Sequence, residues 1–122
     1  MKSVLIAEDE AMLRHMLLLE FQERGIPVIG AADGNETIAA LQSAELPSLL
    51  LLDLLMPRKN GYEVLAYMRE HDIRVPVVVL SNISSQEDER RAREGGAVDF
   101  VVKSQLDIDE VWLLANKYLG VA

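Results

Sequence analysis

With 122 residues, half of them apolar and none cysteine, the chain can build one domain's core but no disulfide, thiolate nucleophile or cysteine-held metal centre. Its 20 acidic residues against 12 basic leave a net charge of −8, which argues against direct nucleic-acid binding, a function that runs on Lys and Arg contacts to phosphate. Charge arrives at Glu8, too soon for a signal peptide's apolar core or a membrane span, so a soluble cytoplasmic domain over residues 1–122 is expected.

Val4 to Ala7 reads as a first strand ending in Glu8-Asp9-Glu10, and Ala11 to Arg24 as a helix with Leu13, Met16 and Leu17 at helical spacing and Gly25 as its stop. Pro27 to Ala32 is the second strand, Asp33-Gly34 a turn, and Asn35 to Ser43 an Ala-rich helix. The four leucines 49–52 form an unbroken apolar run, as a central strand buried on both faces should. Asp53 stands where that run stops. Pro57, which lacks an N–H, and Gly61, which tolerates positive φ, then require a loop before helix resumes over Tyr62 to His71 with Val64, Leu65 and Met68 inward. Val75 to Leu80 is a β-branched fourth strand ending at Ser81-Asn82. A polar helix over Ser85 to Glu94 follows, with Glu87–Arg91 and Glu89–Arg93 spaced for ion pairs worth a few tenths of a kcal/mol each. Val98 to Val102 is the fifth strand, and Asp107 to Leu119 the closing helix with Val111, Leu114 and Tyr118 inward. Trp112 needs only a packing role there, and neither His15 nor His71 is assigned a function.

Five alternating strand–helix units predict an α/β fold, a doubly wound five-stranded parallel sheet with helices on both faces. Such sheets bind ligands at the carboxyl ends of their strands. Glu8, Asp9, Asp53, Ser81 and Lys103 all fall at that rim. Each alone reads more simply as a cap, a turn residue or a solvated charge; five on one rim read as a site. Two carboxylates about 4 Å apart repel by roughly 4 kcal/mol at an effective dielectric near 20, so three converging acids call for a counter-cation. Hard oxygens without His or Cys select Mg²⁺, with Mn²⁺ as a substitute. A carboxylate flanked by such an ion and an ammonium is equipped for phosphoryl transfer onto Asp53, with the Ser81 hydroxyl reaching another phosphoryl oxygen.

The acidic pair after strand one, Asp53-x-x-Met56-Pro57-x-x-x-Gly61 after strand three, Ser81 after strand four and Gly96-Ala97-x-Asp99-Phe100 leading to Lys103 together resemble the receiver domain of two-component response regulators. The resemblance covers essentially the whole chain. It implies the flavodoxin-like strand order 2-1-3-4-5, and a sensor histidine kinase or phosphotransfer protein that donates to Asp53. It implies Mg²⁺ held by Asp9, Asp53 and the backbone carbonyl of Leu55, with Glu8 acting through water, and Lys103 on the phosphoryl group. Ser81 and Phe100 become switch residues that reshape the surface of helix four, strand five and helix five. A permanently buried Phe100 is the plainer reading. The signal then passes to a protein partner or an absent effector domain, a phosphorylation-dependent homodimer included.

Three departures carry expectations. Ser104 stands where the family usually has a cis-linked Pro; a cis bond before a non-proline costs about 3 kcal/mol, so a trans link is expected. Asn82, in place of a small residue, should narrow the approach to Asp53. Leu55 and Ile83 offer no side chain to orient an attacking water, so a long-lived phosphoaspartate is expected. Asn60, where Asp is common, reads as a turn variation. Rival readings are poorer: a dehalogenase-type phosphohydrolase needs a second Asp where Leu55 stands, an acidic first loop would repel a flavin phosphate, and the intact acidic trio argues against a receiver-like module that is never phosphorylated.

Overall fold

The computed structural model describes residues 2–82, 85–105 and 107–120. Its elements alternate as expected: β1 (Val4–Ala7), α1 (Ala11–Glu23), β2 (Val28–Ala31), α2 (Gly34–Leu41), β3 (Leu49–Leu52), α3 (Gly61–Glu70), β4 (Val77–Ser81), α4 (Gln86–Glu94), β5 (Asp99–Val102) and α5 (Ile108–Leu119). All strands pair in parallel in the order β2-β1-β3-β4-β5. The expected class and strand order both hold.

Side chains alternate across a strand, so the central strands feed two cores. Leu5, Ala7, Leu50, Leu52, Val77 and Val79 meet α2, α3 and α4 through Leu41, Val64, Leu65, Met68 and Ala92. Val4, Ile6, Leu49, Leu51, Val78 and Leu80 meet α1 and α5 through Leu17, Phe21, Val111, Trp112 and Leu119. The apolar runs of β1, β3 and β4 are continuous because both faces of each strand are covered. β2 lies at an edge, and its Ile29 is exposed.

Polar caps set the helix starts. Asp33 accepts from the Glu36 N–H at 2.8 Å, Asn60 and Glu63 form a reciprocal capping box, and Asp107 accepts from the Glu110 N–H at 2.8 Å. Asn60 is thus a helix cap rather than a turn variation. β4 begins two residues later than expected: Pro76 has no N–H, and its carbonyl accepts from Leu50 instead.

Two expectations need correction, at Met16 and at the Glu87–Arg91 pair. Met16 is exposed, because Leu17 and Phe21 take the inward positions of α1. Leu114 and Tyr118 pack half-buried against the α1–α5 core, as expected, and Trp112 fills the α1–α5 seam in a T-shaped contact with Phe21 and with Arg24 over its face. On α4 the Glu89–Arg93 pair forms at 3.0 Å, whereas Arg91 leaves Glu87 to lie 4.0 Å from the centre of the Tyr62 ring. Glu87 pairs with Arg90 instead.

Candidate functional site

β1, β3 and β4 end side by side, and their register carries Glu8, Asp53 and Ser81 to one rim. The Asp53 N–H donates to the Ala7 carbonyl at 3.0 Å, fixing the acidic loop beside the strand end. Leu55 then turns back so that its N–H donates to Asp53 Oδ1 at 3.2 Å. The Leu55 side chain faces solvent.

Gly61 brings α3 onto this corner for a reason other than positive φ. A Cβ there would lie 2.7 Å from the Asp53 carbonyl oxygen and 2.8 Å from Leu54 Cα. Helix and strand end meet backbone to backbone, and only glycine fits.

Lys103, just past β5, reaches across the rim. Its Nζ lies 2.8 Å from Glu8 Oε1, 3.3 Å from Asp53 Oδ2 and 3.3 Å from Glu10 Oε1. Glu8 and Asp53 are buried and Asp9 is exposed, yet carboxylate oxygens of all three lie within 4.8 Å of one another. Burial pushes Glu8 up to about 7 against the pull of its Lys103 hydrogen bond, the nearby Asp53 charge adding to the rise. Burial likewise raises Asp53, opposed by the Lys103 charge. Desolvation works against the Lys103 ammonium, but the Glu8 hydrogen bond and the Asp53 charge outweigh it and raise its pKa. Mutual repulsion had been the expected cause of raised carboxyl values; loss of water is the larger one.

The donor set fits a hard divalent cation, being oxygen throughout with no His or Cys. Glu8 is held directly by Lys103. Ser81 is fully buried at the end of β4, paired with Val102 in the residue register next to Lys103. Phe100 is half-buried against the α2–α3–α4 core. The peptide bond between Lys103 and Ser104 is trans, and residues 103–105 form a single 3-10 turn. Asn82 is exposed just beyond Ser81. Ile83 lies outside the described residues.

Sequence reading missed two participants. Glu10 joins the Lys103 cluster, and the Arg14 Nη1 donates to the Glu8 carbonyl at 2.8 Å while its stem lies across Gly30. Glu10 had a visible signal, a third acid directly after a functional pair. Arg14 had none, since its contact depends on how α1 lies across β2.

The sequence matches the model of the response regulator receiver domain over residues 4–113. The chain belongs to that family. The receiver is 39% identical over 105 residues to the transcriptional regulatory protein PdtaR of Mycobacterium tuberculosis, covering 84% of this chain and 49% of that protein. It is 36% identical over 102 residues to the probable transcriptional regulator ycf27 of Porphyridium aerugineum, covering 84% and 42%. The chain therefore spans about half the length of these curated relatives. Among solved structures it resembles the Francisella response regulator 1452 receiver domain (TM-score 0.90, 27% identity, 98% of each chain). It also resembles the Thermotoga maritima response regulator TrrA, solved in complex with Mg²⁺–BeF (TM-score 0.83, 28% identity, 98% of this chain and 100% of that one). Among the described residues, no helix of this receiver is long and apolar enough to cross a membrane.

Proposed function

We propose that this receiver accepts a phosphoryl group onto Asp53 from the phosphohistidine of a sensor histidine kinase or phosphotransfer protein. The observation that carries the reading is the Lys103 ammonium held between Glu8 and Asp53 at the end of the central strand, with Asp9 alongside. An Asp53 oxygen forms its bond to phosphorus as the donor's phosphorus–nitrogen bond breaks. Lys103, already 3.3 Å from Asp53 Oδ2, neutralises charge on the incoming phosphoryl oxygens. Ser81, from the neighbouring strand end, supplies a hydroxyl to another oxygen. Asp9, Asp53 and the Leu55 carbonyl would hold Mg²⁺ or Mn²⁺, with Glu8 through water, and the ion would supply charge neutralisation opposite Lys103. Ser81 and Phe100 then alter the α4–β5–α5 surface for a protein partner or effector domain elsewhere in the protein, or for a second phosphorylated copy. The domain is a signalling phosphoacceptor whose only catalysis is of its own phosphorylation and dephosphorylation. Its net charge of −8 argues against DNA contact by this domain, and a cytoplasmic location suits such a donor.

Incubation with acetyl phosphate and Mg²⁺ should add one phosphate by intact-mass spectrometry. Asp53→Asn should abolish that addition; undiminished incorporation in the variant would overturn the assignment. Asn82→Ala should speed the reaction by widening the approach, and an unchanged rate would remove that role.

A further inference from the structure

Lys103 is held by three carboxylates, and the assigned chemistry uses only two of them. The third is Glu10, at the amino-terminal cap position of α1. A side chain there usually closes onto the helix's first N–H groups, as Asp33, Asn60 and Asp107 do on α2, α3 and α5. Glu10 makes no such bond. Its carboxylate instead turns to the rim and accepts from Lys103 Nζ at 3.3 Å, while its backbone N–H donates to Glu8 Oε2 at 3.1 Å. Residue 10 thus grips both members of the buried Glu8–Lys103 pair, one through the main chain and the other through the side chain. The two grips differ in exposure: Glu8 is sealed, whereas the Glu10 side chain is 59% exposed at the mouth of the site.

We propose that Glu10 is a positioning residue that restrains Lys103 and slows phosphoryl transfer to Asp53. The inference rests on the phosphoacceptor reading of Asp53. For Lys103 to engage an incoming phosphoryl group it must give up one of its carboxylate contacts. Glu8 is the shorter and buried contact, and Asp53 is the acceptor itself, so Glu10 is the contact given up. With its Glu10 partner 59% exposed, the pair is weakened by water, so the restraint tunes a rate by a few-fold and leaves the reaction possible.

Two variants separate the grip from simple charge. Glu10→Gln keeps the length and the backbone N–H but removes the charge. Glu10→Asp keeps the charge but draws it back by one methylene, out of hydrogen-bond reach of Nζ. With acetyl phosphate as donor, read by intact-mass spectrometry, both should raise the phosphorylation rate about two- to fivefold, the factor that such an ion pair commands. Mg²⁺ affinity by calorimetry should stay within about twofold, since the backbone hold on Glu8 is retained. Rates equal to or below wild type in both variants would overturn the restraint, as would acceleration in Glu10→Gln alone, which would reduce Glu10 to a repelling surface charge. If the wild type takes up no phosphate, or takes it up equally as Asp53→Asn, the phosphoacceptor reading fails and this inference with it.

Discussion

α3 and α4 lie against the same face of the sheet and follow the two strand ends that carry Asp53 and Ser81, yet they are held by opposite means. α3 buries Val64, Leu65 and Met68 and is closed by a capping box. α4 buries only Ala92. What α4 lacks in apolar burial it makes up in polar ties. The Tyr62 hydroxyl donates to Asp88 Oδ1 at 2.6 Å, and Arg91 lies over the same ring. Arg69 Nη2 donates to the Glu94 carbonyl at 2.6 Å. On its other side Arg93 lies 3.6 Å from Asp99, which also accepts from the Tyr118 hydroxyl at 3.0 Å. Apolar burial is lost steeply when packing is disturbed, whereas exposed hydrogen bonds and ion pairs exchange readily with water. The helix after Asp53 is therefore held mainly by apolar burial, and the helix after Ser81 mainly by polar contacts.

That contrast can be broken most forcefully at Leu65. Leu65→Ala should cost about 2–5 kcal/mol in urea denaturation, since it empties a closed core site; a loss under 1 kcal/mol would remove the distinction between the helices. Tyr62→Phe keeps the ring under Arg91 and deletes only the hydroxyl bond. It should cost about 0.5–1.5 kcal/mol, with faster amide hydrogen exchange confined to α4; equal acceleration in α3 would contradict the division. The smallest effect is on pH. Burial and the Asp88 hydrogen bond push the Tyr62 phenol up to about 12 from its ordinary 10.0, so its contribution is complete below pH 10 and is lost as pH climbs through 12. The stability gap between wild type and Tyr62→Phe should narrow over that window. Taking the difference removes the parallel rise of Tyr118, which burial and Asp99 also push upward.

The strands were legible because buried parallel strands write themselves as unbroken apolar runs, and the rim was legible because a functional acid interrupts such a run in an unmistakable place. Asp53 stands out in this way and Lys103 as the cation that closes the fifth apolar run, and the two meet at 3.3 Å. Apart from Glu10, what the sequence leaves unread is decided by contacts between distant elements. Arg91 had equal sequence grounds to pair with Glu87, and only the position of Tyr62 on another helix drew it away. Met16 and Leu17 both suit an apolar helix face, and the packing of α1 buries Leu17 and leaves Met16 exposed. Gly61 was read for its dihedral freedom, but its lack of a side chain is what the corner needs.

That corner constrains how news of the acceptor can travel. With main chain resting on main chain between residues 53 and 61, α3 behaves as a thrust bearing: it receives any push from the strand end as a whole and has no lever with which to turn it into rotation. Under the proposed phosphorylation of Asp53, any rearrangement of the far surface would run instead through the neighbouring strand and α4, which is tied down chiefly by polar contacts.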